Sequence, residues 1–132
     1  RGNIKIEFYT SDCPFTVQNF VKLGEKGYYN STVFHRVVPN FVIQGGDPTG
    51  TGYGGPGYSI RSEFSPATFD AYTVGMASSG KDTEGSQFFI THSPQPHLDA
   101  RYTLFGHVIE GFDVVDRIQI GDVIETISFD SK

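Results

Sequence analysis

Short apolar runs ended by glycine or proline are the feature of this chain that most limits its fold. The 132 residues include 16 glycines and 7 prolines, and the runs between them are rich in β-branched and aromatic residues, as strands are. At the start, Ile4, Ile6 and Phe8 alternate with polar residues, which is the period of a strand with one face on a core. Further strands are predicted over residues 34–38, 41–44, 72–77, 87–91, 102–108 and 123–129.

Two stretches have helical spacing instead. Pro14 stands where a first helical residue is favoured, it follows Ser11-Asp12, whose side chains can cap a helix, and Gly27 is the expected stop. Apolar residues recur between Pro14 and Gly27 at the spacing of one helix face. A second, short helix is predicted over residues 112–118.

The balance of elements predicts a mainly β fold in a single domain over residues 1–132. Seven or so strands against two helices imply a mainly antiparallel sheet, and a closed barrel is the economical way to remove its edges. Arg1-Gly2 resemble the end of a tight turn, so we expect a strand that precedes this sequence.

Charge and hydropathy argue against two classes of partner. The net charge is -5 and the pI is about 5.2, and no basic run exists that would bind phosphates, so no nucleic-acid partner is expected. The longest apolar runs are only a few residues, so no membrane-spanning helix is expected either.

Cysteine use bears on the compartment. Cys13 is the only cysteine, which rules out an internal disulfide and favours a reducing compartment. We therefore predict a cytoplasmic protein, and the alternative is a periplasmic or exported one that has lost an N-terminal signal.

The histidines do not have metal-ligand spacing. None of His35, His92, His97 and His107 is paired at i, i+4 on a predicted helix, and the single cysteine is distant in sequence. We predict neither a metal nor another cofactor. The glycine-rich stretch 45–58 matches a dinucleotide-binding pattern, but a proline and a strand-like segment follow it where a helix is needed, so a surface loop is the better interpretation.

Arg36 is the residue that most needs an explanation. It lies inside a predicted strand, and a guanidinium there requires either a carboxylate, such as Asp47 or Glu63, or a solvated groove whose ligand it serves. Gln44 supplies an uncharged donor and acceptor that can hold its orientation. The pattern alone leaves both explanations open.

The next polar candidate, Gln87, lies in another predicted strand. By the period of two, Gln87, Phe89 and Thr91 share one face of that strand. A face that mixes an amide with an aromatic ring suits a binding surface better than a core.

Several motifs resemble the cyclophilin family of peptidyl-prolyl cis–trans isomerases, in order and over nearly the whole chain. They are residues 34–47 (FHRVVPNFVIQGGD), 75–80 (GMASSG), 85–91 (GSQFFIT) and 97–99 (HLD). The resemblance implies an eight-stranded antiparallel barrel capped by two helices, whose first strand is missing here. It implies an enzyme that rotates X-Pro peptide bonds and assists protein folding; the alternative is a catalytically weak scaffold of the same fold.

The resemblance also implies roles for individual residues. Arg36 corresponds to the catalytic arginine, Gln44 to the glutamine beside it, and Phe41 is grouped with them. The proline pocket is implied to be lined by Phe41 together with Val42, Phe89, Leu98 and Tyr102, and the site of the preceding residue to be bordered by Ala77, Ser78 and Gln87.

His97 also belongs to the implied substrate site. It stands where many eukaryotic members have tryptophan, which implies that cyclosporin binds weakly at most. The implied partners are proline-containing peptides and folded or unfolded protein clients, bound by a monomer.

Overall fold

The computed structural model describes residues 2–129. Arg1 lies outside the described residues, and so does that part of the turn predicted at Arg1-Gly2. The helices are α1, Pro14–Glu25, and α2, Phe112–Arg117, with a short 3-10 turn at Pro96–Leu98. The strands are β1 Lys5–Phe8, β2 Thr32–Val33, β3 Arg36–Val38, β4 Val42–Gly45, β5 Thr73–Met76, β6 Phe88–Thr91, β7 Leu104–Glu110 and β8 Val123–Ile124.

All strand pairs are antiparallel. Six strands form one sheet in the order β1-β7-β5-β6-β4-β3, and β2 pairs with β8 in a second, two-stranded ladder. Within residues 2–129 the ladders of the large sheet run from β1 at one edge to β3 at the other. The predicted mainly antiparallel β fold with two helices is therefore what the chain adopts.

The strand predictions differ from the structure mainly in the short second ladder, formed by β2 and β8. The strand predicted over residues 123–129 pairs only at Val123–Ile124, and its partner β2 was not predicted from the sequence. A two-residue strand is too short to show the alternation of a strand, and its pairing partner lies far along the chain. Strand β2 therefore has no local signal in the sequence.

Helix α1 begins and ends for reasons that are partly local. Pro14 occupies the first turn and Gly27, at φ +76°, ends the helix, both as predicted. The predicted cap by Ser11-Asp12 is wrong. Instead, Glu63, distant in sequence, accepts hydrogen bonds from the Thr16 backbone N–H and hydroxyl, both at 2.6 Å. A half-buried carboxylate from another segment therefore replaces the local cap.

The large sheet has a different apolar cluster on each face. One cluster packs α1 against the inner face, with Phe20, Ile43 and Phe105 among its buried members. The other lies on the outer face, and its buried members are Val42, Phe69, Phe89, Leu98 and Leu104. Because successive strand residues alternate between faces, β4, β6 and β7 each contribute to both clusters.

Candidate active site

Three neighbouring strands place the candidate residues side by side. In the pairing register, Arg36 on β3 lies opposite Gln44 on β4, and Gln44 lies opposite Phe89 on β6. Directly paired residues of an antiparallel sheet share a face, so these three side chains form a row across the sheet. Their sequence neighbours Val37 and Ile43 point to the inner cluster instead.

The row opens into a groove on the outer face of the sheet, with a cavity of about 190 Å³. This volume is below the roughly 300–1,000 Å³ of pockets for drug-sized ligands, so it suits one small ring. The groove is lined by Arg36, Phe41, Val42, Gln44, Ala77, Ser78, Phe89, Leu98 and Tyr102.

Aromatic contacts hold the walls of the groove. Phe41 stacks on His97 with ring centroids 5.8 Å apart, and the Arg36 Cζ atom lies 5.7 Å from the Phe41 ring centroid. On the other side, Tyr102 meets Phe89 edge-on, with ring centroids 5.8 Å apart. Edge-on and stacked pairs fix the ring planes, so the slot keeps its shape without a ligand.

The floor of the groove depends on a residue that sequence reasoning missed. Phe69 is buried and stacks on Phe89 with ring centroids 5.5 Å apart. Gly75, which pairs with Phe89, makes the room for both rings, because a Cβ there would collide with each. Phe69 lies in an irregular segment, where periodicity gives no signal.

The electrostatic state of Arg36 decides between the two explanations left open by the sequence. The side chain is exposed, and its Nη1 donates to Gln44 Oε1 at 3.4 Å. Among residues 2–129 it forms no ion pair, and both proposed carboxylates are engaged elsewhere: Asp47 by its own loop and Glu63 by α1. The guanidinium therefore faces the groove.

The comparisons with known proteins agree with this geometry. The model of the cyclophilin-type peptidyl-prolyl cis-trans isomerase family matches residues 1–130. The chain belongs to that family. Peptidyl-prolyl cis-trans isomerase B of Bacillus subtilis is 50% identical over 129 residues, which cover 96% of this chain and 90% of the relative. The peptidyl-prolyl cis-trans isomerase of Synechococcus elongatus is 48% identical over 129 residues, which cover 96% of this chain and 89% of the relative.

Solved structures show the same fold. A cyclophilin-type isomerase of Cryptosporidium parvum superposes with a TM-score of 0.92 at 38% identity and covers 99% of this chain and 93% of its own. A second structure of that protein was determined in the presence of the dipeptide Ala-Pro. It has a TM-score of 0.91 at 38% identity, and the match covers 99% of this chain and 94% of the other chain. The predicted family, fold and function, a peptidyl-prolyl cis-trans isomerase, are thus confirmed, and the weak-scaffold alternative is not favoured.

The cyclophilin groove brings together most of the residues implied by the resemblance. Two of them, Gln87 and His97, are not among the lining residues but contact them: Gln87 accepts a hydrogen bond from Gln44 Nε2 at 3.1 Å, and the exposed His97 stacks on Phe41. Both therefore border the groove.

The glycine-rich stretch of this cyclophilin is a closed loop. The backbone N–H groups of Thr49, Thr51 and Gly52 all donate to the buried Asp47 carboxylate, at 2.6–2.9 Å. Burial alone would raise the pKa of Asp47, but hydrogen bonds from the Thr49 hydroxyl and from the backbone N–H groups of Thr49, Gly54 and Gly52 outweigh it and hold the pKa well below its usual range. Donors that already serve an internal anion cannot cradle a phosphate, so the loop is not a nucleotide site.

Other reactive groups take no part in the groove. Cys13 is fully buried, and desolvation, with the nearby Glu63 and Asp12 charges, raises the pKa of its thiol to about 12. Such a thiol is not a nucleophile. In the described part of the chain, no three His, Cys, Asp or Glu side chains gather as metal ligands would, and no helix has the length and apolar character needed to span a membrane.

Proposed function

We propose that Arg36 is the catalytic group of this isomerase, that Gln44 holds its guanidinium in place, and that Phe41 supports it from below. The observation that carries this assignment is a guanidinium that faces an apolar slot without a carboxylate partner among residues 2–129. A permanent charge left in that state is available to a ligand.

Rotation about an X-Pro bond needs no bond cleavage. The amide must lose its resonance, against a barrier of about 18–20 kcal/mol, so the uncatalysed step is slow. An enzyme needs only to bind the twisted amide better than either planar isomer. Neither a nucleophile nor a proton donor of tuned pKa is required, which fits a groove in which Arg36 is the one charged lining residue among residues 2–129.

The Arg36 guanidinium acts on the substrate's proline nitrogen, whose electron distribution changes as the amide twists. In the twisted amide the proline nitrogen becomes pyramidal and regains its lone pair, so a donor aimed there binds the transition state much more strongly than the flat amide. A hydrogen bond from a charged group contributes about 1.5–3 kcal/mol. A rate gain of about five decades requires about 7 kcal/mol, so Arg36 supplies part of it.

The apolar slot assists in two ways: it binds the prolyl ring in the planar and twisted states alike, and it favours the twisted amide over the planar one. Burying the three methylenes of a prolyl ring stabilises the complex by about 2 kcal/mol, and the walls formed by Phe89, Leu98 and Tyr102 keep the ring still while the preceding residue turns. A less polar setting also disfavours the charge-separated planar amide. We assign Val42 to the same slot, and His97 to support of its Phe41 wall.

The preceding residue of the substrate would lie along the adjacent edge. Ala77 and Ser78 line the groove there, and Gln87 lies behind Gln44. The half-buried Ala77 and Ser78 leave room for varied side chains at that position, so we propose broad tolerance for the residue before proline.

The cyclophilin fold binds proline-containing peptides. Beyond that, we propose folded and unfolded proteins with exposed X-Pro bonds as clients, a monomeric and cytoplasmic enzyme, and weak cyclosporin binding because His97 replaces a larger indole wall. We further propose that residues 1–132 act as one domain, and the family match over residues 1–130 supports this.

A protease-coupled assay with a proline peptide tests the catalytic assignment. We expect Arg36→Ala to lower kcat/KM about 10- to 100-fold, which is the loss of one charge-assisted hydrogen bond, with an unchanged circular dichroism spectrum. The matched control is Arg117→Ala, which removes a surface ion pair on α2 and should leave kcat/KM unchanged. Equal activity of Arg36→Ala and the wild type would remove Arg36 from the mechanism.

A further inference from the structure

The orientation of Gln87 is set by two backbone carbonyls. Its Nε2 donates to the carbonyl oxygens of Gly52, at 2.9 Å, and Gly54, at 3.0 Å. An amide nitrogen has two N–H donors, and both are used here, so the amide oxygen must face the other way. That oxygen accepts the hydrogen bond from Gln44 Nε2 at 3.1 Å.

The orientation of the Gln44 side-chain amide follows in the same way. With its nitrogen committed to Gln87, Gln44 presents its oxygen to the Arg36 guanidinium at 3.4 Å. A flipped Gln44 amide would present N–H groups to a cation that has only donors to offer. We call the side chains of Gln87 and Gln44 the amide relay.

The two carbonyls are in turn placed by Asp47. The loop from residue 47 to residue 54, the Asp47 loop, folds round that carboxylate, which is fully buried. Gly52 has φ +92°, a conformation that favours glycine. At Gly54 a Cβ would collide with the Asp47 side chain, so only glycine lets the loop close this tightly.

We propose that the Asp47 loop positions the Arg36 guanidinium through the amide relay. This rests on the proposed catalytic role of Arg36. A long exposed arginine side chain loses much of its rotamer entropy when it is ordered. Because the relay is anchored in a closed loop, Arg36 loses this entropy before the substrate binds. Less side-chain entropy is therefore lost as the amide twists.

Gln87 is a positioning residue in this arrangement, and Gln87→Met tests it because methionine keeps the length and removes both hydrogen-bonding groups. We expect kcat to fall about threefold to tenfold, with KM within about twofold, because the relay orders a group that acts in the transition state. The matched control is Gln18→Met on the exposed face of α1, which should leave both constants unchanged.

A double-mutant cycle with Arg36→Ala separates positioning from direct substrate contact. If Gln87 acts through Arg36, Gln87→Met should cause no further loss in the Arg36→Ala background. The distal variant Gly54→Ala, which disturbs the loop outside the groove lining, should behave the same way. An equal loss in both backgrounds, or no loss at all, would overturn the proposal.

A spectroscopic readout is independent of catalysis. The NMR order parameter of the Arg36 Nε–H bond should be lower in Gln87→Met than in the wild type and unchanged in Gln18→Met. If Arg36→Ala proves fully active, the catalytic assignment fails, yet the order parameter still decides whether Gln87 positions Arg36. An unchanged order parameter in Gln87→Met would contradict the relay.

Discussion

Asp47 and Arg36, eleven positions apart in the chain, carry opposite charges and have opposite environments. Asp47 is fully buried and accepts four hydrogen bonds of 2.6–2.9 Å from Thr49, Thr51 and Gly52. Arg36 is exposed, and one amide oxygen at 3.4 Å is its hydrogen-bond partner among residues 2–129. The carboxylate is satisfied within the fold, whereas the guanidinium is left to bind something else.

This difference separates a structural charge from a functional one. A buried ion must be saturated with donors, because leaving it unpaired costs several kcal/mol. An exposed ion has no such requirement, and one whose partner is a neutral amide is available to a ligand in the apolar slot.

The largest expected effect on stability comes from Asp47→Asn. The amide keeps one acceptor and turns an NH2 group toward N–H donors, so we expect the free energy of unfolding to fall by about 2–4 kcal/mol, measured in urea. The control is Asp113→Asn, an exposed surface ion-pair partner on α2, which should change it by less than about 1 kcal/mol.

The pH dependence of this difference has a defined sign. The folded state lowers the pKa of Asp47 from the unfolded value of 3.8, so its contribution is fully present above that value and is lost as pH falls below it. The gap between wild type and Asp47→Asn should therefore narrow only below about pH 4. A gap that is constant down to pH 2, or absent at pH 7, would show that the carboxylate charge is not what stabilises the loop.

Gln44→Glu gives the Arg36 guanidinium a partner of opposite charge and so makes it a satisfied charge, as Asp47 is. The introduced carboxylate would pair with the guanidinium and repel the Gln87 amide oxygen, so we expect kcat/KM at pH 7 to fall about tenfold in the protease-coupled assay. Gln44→Met, which removes the hydrogen bonds without adding charge, should cost at least as much as Gln87→Met and no more than Gln44→Glu, about threefold to tenfold. Wild-type activity in Gln44→Glu would mean that an unpaired guanidinium is not needed.

The smallest effect is expected from Glu63→Gln. Glu63 is a second satisfied carboxylate, which caps α1 through Thr16 and lies outside the groove lining. The substitution should lower the free energy of unfolding by about 1 kcal/mol, since a neutral cap retains an acceptor but loses its interaction with the helix dipole. Isomerase activity at 25 °C should not change; a loss of activity without a loss of stability would place Glu63 in the site.

Local patterns in the sequence predicted much of the fold and the groove. The alternation in residues 87–91 correctly placed Phe89 on the outer face and Ile90 in the core. Pro14 and Gly27 correctly predicted the ends of α1, because both act through their own backbone.

Features that depend on distant contacts were not predictable. The cap by Glu63, the Phe69 ring beneath Phe89 and the relay from Gly54 to Gln87 join residues tens of positions apart. Sequence spacing carries no information about such contacts, since they exist only after the sheet has formed. The resemblance named Gln87 as a substrate neighbour, whereas its visible contacts are with Gln44 and the Asp47 loop.

The most direct test of the central claim is the rate of interconversion of an X-Pro peptide on the enzyme, measured by NMR exchange at saturating peptide. The account predicts that Arg36→Ala slows this rate at least tenfold while the Kd of the peptide changes less than about threefold, because the slot binds the ring and the guanidinium binds the twisted amide. An unchanged rate, with the whole effect in Kd, would contradict it.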